Sequence, residues 1–106
     1  MTALPVFFRP EALGDIQTIY YYILDITKDA SFAEAYVNRL RSKIGTLSEF
    51  PQIGRRRDAL LTGMRQMRFE RAYTIFYRVT ETQVEVTRVL GSRQNHAVIL
   101  ARRSGP

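Results

Sequence analysis

Arginine is the residue type in this sequence with the strongest capacity for binding chemistry. Of the 16 basic residues 14 are arginines, and every basic residue after Lys43 is an arginine. A guanidinium binds carboxylates and phosphates through two parallel hydrogen bonds. Residues 1–53 carry 5 basic and 6 acidic side chains, whereas residues 54–106 carry 11 and 4, a balance of −1 against +7. The second half therefore predicts an acidic protein segment or a nucleic acid as partner, with a merely solvated basic face as the alternative.

Five of these arginines are predicted to lie close together. They fall on or just after three consecutive predicted strands, and antiparallel pairing brings such positions near one another. The predicted cluster contains Arg65, Arg68, Arg78, Arg88 and Arg93. The alternative is that each guanidinium reaches solvent or pairs with a nearby glutamate, namely Glu70, Glu81 or Glu85.

Two further groups are candidate contacts for a partner. Arg55, Arg56 and Arg57 form a run in the irregular segment before the first of these strands. Tyr21 and Tyr22 flank the apolar stripe of the first predicted helix, where they either cover the edge of the core or face a partner.

The residue types of most catalytic and cofactor sites are scarce. Cysteine is absent, which excludes disulfides, thiol nucleophiles and cysteine-ligated metals. His96 is the single histidine, with no carboxylate near it in sequence, and the six glycines do not form a phosphate-binding loop. The sequence predicts no metal and no cofactor. It has no signal-peptide core and no membrane-spanning run, so we expect a cytoplasmic protein of one domain, 1–106, with a flexible tail from about 97 to 106.

The hydrophobic pattern of the first half predicts a strand and two helices. An apolar run bounded by Pro5 and Pro10 indicates the strand, and Pro10 begins a helix that extends to about Thr27. Asp29 or Ser31 caps a second helix that ends near Glu49. Both helices have an apolar stripe at three- and four-residue spacing, which is typical of an antiparallel helical hairpin.

The second half changes to the period of strands. Met64 to Phe69, Tyr73 to Val79 and Val84 to Leu90 predict a meander of three antiparallel strands, with a bulge near Thr87. Tyr73, Ile75, Tyr77 and Val79 share the face toward the helices. The predicted fold is α+β, in the order β-α-α-β-β-β: an N-terminal strand, then a helical hairpin packed on a small antiparallel sheet.

Over roughly Val6 to Asn95 the sequence resembles the RelE/ParE superfamily of type II toxins. The resemblance is carried by five stretches in a shared order: the opening strand followed by 10–16; 19–23; Leu47 with Pro51 and Gly54-Arg55; 63–65; and 73–79 leading to 88–90. It implies the same fold. It also implies the toxin of a plasmid stabilization type of toxin–antitoxin system, neutralised by an acidic antitoxin that folds along the toxin in a heteromeric complex and alone contacts operator DNA.

The superfamily has two branches with different targets. RelE-like members cut mRNA on the ribosome, with a basic cluster and a late tyrosine or histidine as acid or base, whereas ParE-like members inhibit DNA gyrase without a catalytic site of their own. No tyrosine follows Tyr77, and the lysines of the nuclease cluster have no counterparts here. The resemblance therefore favours the ParE branch, with a ParD-like antitoxin. The alternatives are a RelE-type endoribonuclease using Arg65, Arg93 and His96, and a non-toxic basic adaptor.

Overall fold

The first half of the chain folds into a short strand and two helices. The computed structural model describes residues 3–102, and for Arg102 the backbone alone. The elements are β1 (Val6–Phe8), α1 (Pro10–Thr27) and α2 (Ala30–Gly45), followed by a 3-10 turn at Thr46–Ser48. The predicted strand and hairpin are confirmed, and the last predicted turn of the second helix is this 3-10 turn.

The ends and the buried faces of both helices follow from the sequence. Pro10 occupies the first turn of α1, where its missing N–H costs no hydrogen bond. The Asp29 side chain caps α2 by accepting a hydrogen bond from the Phe32 amide at 3.1 Å. The apolar stripes face the core, with Tyr20 of α1 partly buried. Their fully buried members are Ala12, Ile16, Ile19 and Ile23 on α1, and Ala33, Tyr36, Val37, Leu40 and Ile44 on α2.

The second half forms four strands and a short helix. These are β2 (Arg55–Arg56), β3 (Met64–Phe69), β4 (Tyr73–Val79), β5 (Val84–Gly91) and α3 (His96–Arg102). The three strands of the meander are confirmed. The two-residue strand β2 was not predicted, because two consecutive arginines carry no period-2 signal.

The five strands form one mixed sheet in the order β1-β5-β4-β3-β2. The predicted antiparallel meander, β3 to β5, is its centre. β1 pairs parallel with β5, and β2 pairs antiparallel with β3 at the other edge. The predicted bulge is confirmed at Thr87: Phe76 pairs with Arg88 and Tyr77 with Val86, so Thr87 is the additional residue.

The sheet has an apolar cluster on each face. Ile75 and Tyr77 of β4 pack with both helices, as predicted. Phe76, from the opposite face, packs with Met64, Leu90 and Leu100. The sequence predicted a flexible tail from about residue 97, but residues 97–102 are helical in α3 and Leu100 is buried. Residues 103–106 of the predicted tail lie outside the described part of the chain.

None of the helices described is both long and apolar enough to span a bilayer.

Candidate partner-binding surfaces

Strand alternation separates the arginines of β3. Met67 and Phe69 face the helices, whereas Met64 belongs to the cluster on the opposite face. By the two-residue period of a strand, Arg65 lies on the helix side and Arg68 on the opposite side. Residues of one strand that are three apart cannot contribute to the same face.

Arg88 is bound to helix α1. Its Nε and Nη2 atoms donate to the two carboxylate oxygens of Asp15 at 2.7 and 2.8 Å. The same carboxylate accepts the Val89 amide at 2.9 Å. Because β1 pairs with β5 only as far as Val86, Asp15 provides an acceptor for a strand amide beyond the end of β1. The hydrogen bond to Asp15 raises the pKa of the Arg88 guanidinium, and the pair ties α1 to the sheet.

Arg65 is bound to a loop through neutral acceptors. Its Nη1 donates to the Gly54 carbonyl at 2.8 Å and to the Gln52 carbonyl at 3.2 Å, and its Nη2 donates to the Gln52 side-chain oxygen at 2.9 Å. These contacts hold the guanidinium in place without neutralising its charge.

The same loop is held by a buried tyrosine. The Tyr77 hydroxyl donates to the Pro51 carbonyl at 2.9 Å and accepts the Gly54 amide at 2.7 Å. Burial raises the pKa of Tyr77, against the smaller lowering effect of the Gly54 hydrogen bond. Gly54 does not have positive φ, and its role is close approach: a Cβ there would lie 2.8 Å from the Gln66 carbonyl oxygen and clash with the Tyr77 ring. Gly63 does adopt positive φ, at 79°.

The predicted arginine run lies at the β2 edge of the sheet. Arg56 pairs with Asp58 at 3.0 Å, and Arg57 donates to the Gln66 side chain. Arg55 and Arg68, both exposed, line one shallow groove beside Ile53. We call Arg55, Arg56, Arg65 and Arg68 the arginine edge.

The single arginine cluster expected from the sequence does not form. Arg65 and Arg88 are held in separate places, Arg68 and Arg78 lie at opposite ends of the β3–β4 pair, and Arg93 follows β5. The pairs Met64–Arg78 and Arg68–Thr74 are four residues apart along the ladder, which corresponds to about 13 Å. The prediction failed because it counted strands without assigning to each residue its face and its position along the ladder.

A cleft of about 710 Å³ lies between α1 and the end of the sheet. Its basic residues are Arg71, Arg88 and Arg93, and Asp15 is its acidic residue. Apolar and aromatic side chains complete the lining, among them Ile19, Tyr22, Tyr73, Val89 and Leu90. We call this the α1–β5 cleft; with three arginines and one aspartate its net charge is +2.

The two candidate tyrosines are exposed in different settings. Tyr21 and Tyr22 are 57% and 56% exposed. Tyr22 lines the α1–β5 cleft, and Tyr21 packs edge-on against Tyr20 with ring centroids 5.2 Å apart. Burial, and to a smaller extent the neighbouring Tyr22, raise the pKa of Tyr73 in the same cleft.

The residues named for a nuclease do not meet in one site. Arg65 pairs across the sheet with Tyr77. Arg93 follows Gly91, which pairs with Tyr73. Tyr73 and Tyr77 are four residues apart on β4, which corresponds to about 13 Å. His96 donates through Nε2 to the Gly91 carbonyl at 2.8 Å and packs edge-on against Phe76. Among the described residues, no three histidine, cysteine or acidic side chains are grouped to hold a metal ion.

Sequence reasoning missed three residues of the cleft. Arg71 falls between two predicted strands, and neither it nor Asp15 nor Ser92 is among the predicted contact residues. For Arg71 the signal in the sequence was its position. Arg71 lies in the turn between β3 and β4, and antiparallel pairing places this turn beside the end of β5.

A family model described as "ParE toxin of type II toxin-antitoxin system, parDE" matches residues 6–96. The chain belongs to this family. It is therefore the toxin component of a type II toxin–antitoxin system, with an antitoxin as partner, and the resemblance to the ParE branch is confirmed.

One relative and one solved structure illustrate the match. Toxin ParE3 of Caulobacter vibrioides is 29% identical over 91 residues, which cover 86% of this chain and 89% of that protein. A solved structure titled "Chromosomal ParDE TA system from P. aeruginosa" superposes with a TM-score of 0.73 at 18% identity, covering 84% of this chain and 96% of the other. The superposition shows that the fold is shared.

Proposed function

We propose that this ParE-family toxin acts by binding DNA gyrase and has no catalytic centre of its own. The family match over residues 6–96 carries the proposal, because the ParE branch is the gyrase-directed one. The separation of Arg65 from Arg93 and His96 supports it, because acid–base cleavage needs its groups within hydrogen-bond reach of one substrate. Binding alone requires an exposed complementary surface, which the exposed arginines offer.

The proposed regulator is a cognate ParD-like antitoxin in the cytoplasm, where gyrase also acts. Its acidic segment folds along the basic half of the toxin, residues 54–106, to form a heteromeric complex, and this complex contacts operator DNA through the antitoxin. Charge complementarity supports the proposal, since this half carries a net charge of +7.

The proposed contact residues divide by accessibility. Tyr21, Tyr22, Arg55, Arg56, Arg68 and Arg93 are exposed and contact the antitoxin or the target directly. Arg57, Arg65, Arg78 and Arg88 are partly buried, and they orient neighbouring elements as well as adding positive charge.

The decisive experiment measures DNA supercoiling by purified gyrase in the presence of the purified toxin. We expect inhibition with accumulation of cleaved DNA, and protection when the antitoxin is added first. Induction in cells should activate the DNA-damage response. Supercoiling that proceeds normally at every toxin concentration contradicts the proposal, and so does harmless overexpression.

Transcript ends mapped after induction separate the gyrase inhibitor from a nuclease. We expect no cuts within codons under translation. His96→Gln is the matched variant, because glutamine can still donate to the Gly91 carbonyl but cannot serve as an acid or base. A variant that loses toxicity together with codon-specific cuts would assign the chain to the ribosome-dependent class.

A further inference from the structure

We propose that the α1–β5 cleft is a carboxylate-binding site that holds an acidic side chain of the antitoxin, with a neighbouring apolar side chain on the cleft floor. This inference rests on the proposed neutralisation by an acidic antitoxin segment. It adds a defined location and a defined chemistry: two guanidiniums and one hydroxyl around a carboxylate.

Two adjacent turns position the guanidiniums. In the turn Phe69–Ala72, the Ala72 amide donates to the Phe69 carbonyl at 3.1 Å, and Arg71 is its third residue. In the turn Gly91–Gln94, the Gln94 amide donates to the Gly91 carbonyl at 3.1 Å, and Arg93 again is the third residue. Each turn therefore presents one arginine at the cleft.

A backbone hydrogen bond joins the two turns. The Ser92 amide donates to the Ala72 carbonyl at 2.9 Å, so the residue before Arg93 is fixed beside the residue after Arg71. The Gln94 side chain further braces the second turn by accepting the Gly91 amide at 2.6 Å. The backbones that carry the two arginines are thus organised before a ligand arrives, which reduces the entropy lost on binding.

The acidic side chains nearest to these arginines are already occupied. Glu70 precedes Arg71 in the chain but pairs with Arg39 of α2, with Nε–Oε2 and Nη2–Oε1 distances of 3.0 and 3.2 Å. Asp15 pairs with Arg88. Within residues 3–101 no ion pair forms for Arg71 or Arg93. The cleft therefore retains two guanidiniums that an external anion can bind.

A buried hydroxyl completes the site. Ser92 is one of the lining residues, and its Oγ atom is buried and has no hydrogen-bond partner among the described residues. A buried polar atom without a partner is costly, and a carboxylate oxygen from outside would accept its proton.

The remaining lining favours a peptide as the source of the carboxylate. Ile19, Val89 and Leu90 offer an apolar surface for a neighbouring aliphatic side chain, and Tyr22 and Tyr73 add aromatic area. The cleft volume, about 710 Å³, lies in the range of pockets that enclose a ligand.

The first turn has positive φ at both of its central residues. Glu70 and Arg71 have φ angles of 48° and 62°, which glycine and asparagine adopt more readily. A type I′ turn between antiparallel strands requires positive φ at both positions, so the turn geometry sets where Arg71 lies.

The test is a binding titration of the full chain with a labelled peptide of alternating glutamate and leucine. We expect saturable binding that weakens as salt is added, and no binding of the glutamine version of the peptide. Arg71→Gln and Arg93→Gln should each weaken the affinity about ten-fold, and Ser92→Ala about three-fold. Arg93→Lys should recover part of the loss, because it restores the charge but not the two-pronged geometry.

The matched control is Arg41→Gln, which removes one positive charge from the exposed face of α2, where Arg41 lies 6.0 Å from the Phe8 ring centroid. Circular dichroism confirms folding of each variant. Equal affinity for all variants overturns the proposal, and so does a fall of equal size in Arg41→Gln, which would indicate attraction by net charge alone. Preferential binding of oligouridylate, lost in Arg71→Gln and Arg93→Gln, also overturns it, because the site would then take phosphate.

The result is separable from the gyrase proposal. A chain that binds the peptide in the cleft but leaves gyrase unaffected contradicts only the proposed target. A toxin that inhibits gyrase but binds the peptide equally well in all variants contradicts only the cleft.

Discussion

Two regions of the sheet, one beside β5 and one beside β2, each immobilise one arginine, but by different chemistry. Beside β5, Arg88 binds the Asp15 carboxylate, so two opposite charges are partly buried together. Beside β2, Arg65 binds carbonyl and amide oxygens of residues 52–54, which leave its charge uncompensated. The first arrangement is a structural tie, and the second keeps positive potential at the surface.

This difference shows why the number of arginines does not define a binding surface. Beside β5, the arginines available to a partner are Arg71 and Arg93, which lie in two adjacent turns, because Arg88 is already paired with Asp15. At the β2 end, Arg55 and Arg68 line an open groove without a carboxylate between them. The region beside β5 is a cleft, and the region beside β2 is the arginine edge.

The largest effect is expected from Asp15→Ala. The change leaves the guanidinium of Arg88, whose side chain is 18% exposed, and the Val89 amide without their acceptor. We expect a loss of about 3 kcal/mol in the free energy of unfolding, measured by urea denaturation. Asp25→Ala on the same helix is the control, since its pair with Lys28 is 79% exposed and should contribute less than about 0.5 kcal/mol. Equal losses in the two variants would mean that the carboxylate does not tie α1 to the sheet.

Tyr77→Phe tests the β2 end in the same way. Without the hydroxyl, the Gly54 amide and the Pro51 carbonyl lose a buried partner, and we expect a loss of about 2 kcal/mol in unfolding free energy. Tyr22→Phe removes an exposed hydroxyl and should cost less than about 0.5 kcal/mol. A Tyr77→Phe protein as stable as the wild type would show that neutral contacts do not hold this loop.

Arg71→Gly should change the stability of the protein and its affinity for the peptide in opposite directions. Glycine relieves the positive φ of 62°, so we expect the free energy of unfolding to rise by about 0.5 kcal/mol while peptide affinity falls. Arg68→Gly, at a strand position, should instead lower it by about 0.5 to 1 kcal/mol. If the free energy of unfolding falls in both variants, the positive φ of Arg71 does not destabilise the turn.

The smallest effect concerns the pH dependence of Glu70. The hydrogen bond from Arg39 lowers the pKa of Glu70 below its ordinary 4.5, so its contribution to stability is present above that value and is lost as the pH falls through the folded-state pKa. The stability difference between wild type and Glu70→Gln should therefore shrink on acidification from about pH 6. Glu34→Gln, at an exposed position of α2, is the control. A stability difference that stays constant as the pH is lowered would contradict a stabilising contribution from the Glu70–Arg39 pair.

The local elements of the fold could be predicted because each depends on neighbours in the chain. Pro10 begins α1, Asp29 caps α2, and the two-residue period of β4 assigns Ile75 and Tyr77 to the helix face. Even the bulge at Thr87 was detectable, since Arg88 and Val89 break the alternation of β5. Membership of the ParE family could likewise be recognised from the sequence alone.

Pairings between distant residues could not be predicted in the same way. That Asp15 binds Arg88, 73 positions later, and that Glu70 binds Arg39 depends on how α1 and α2 lie across the sheet. Composition determined that this chain carries an excess of arginine in its second half. Only the tertiary structure decided which guanidiniums are paired internally and which remain for a partner, because the free energy of an ion pair depends on distance and burial, and neither is a property of sequence order.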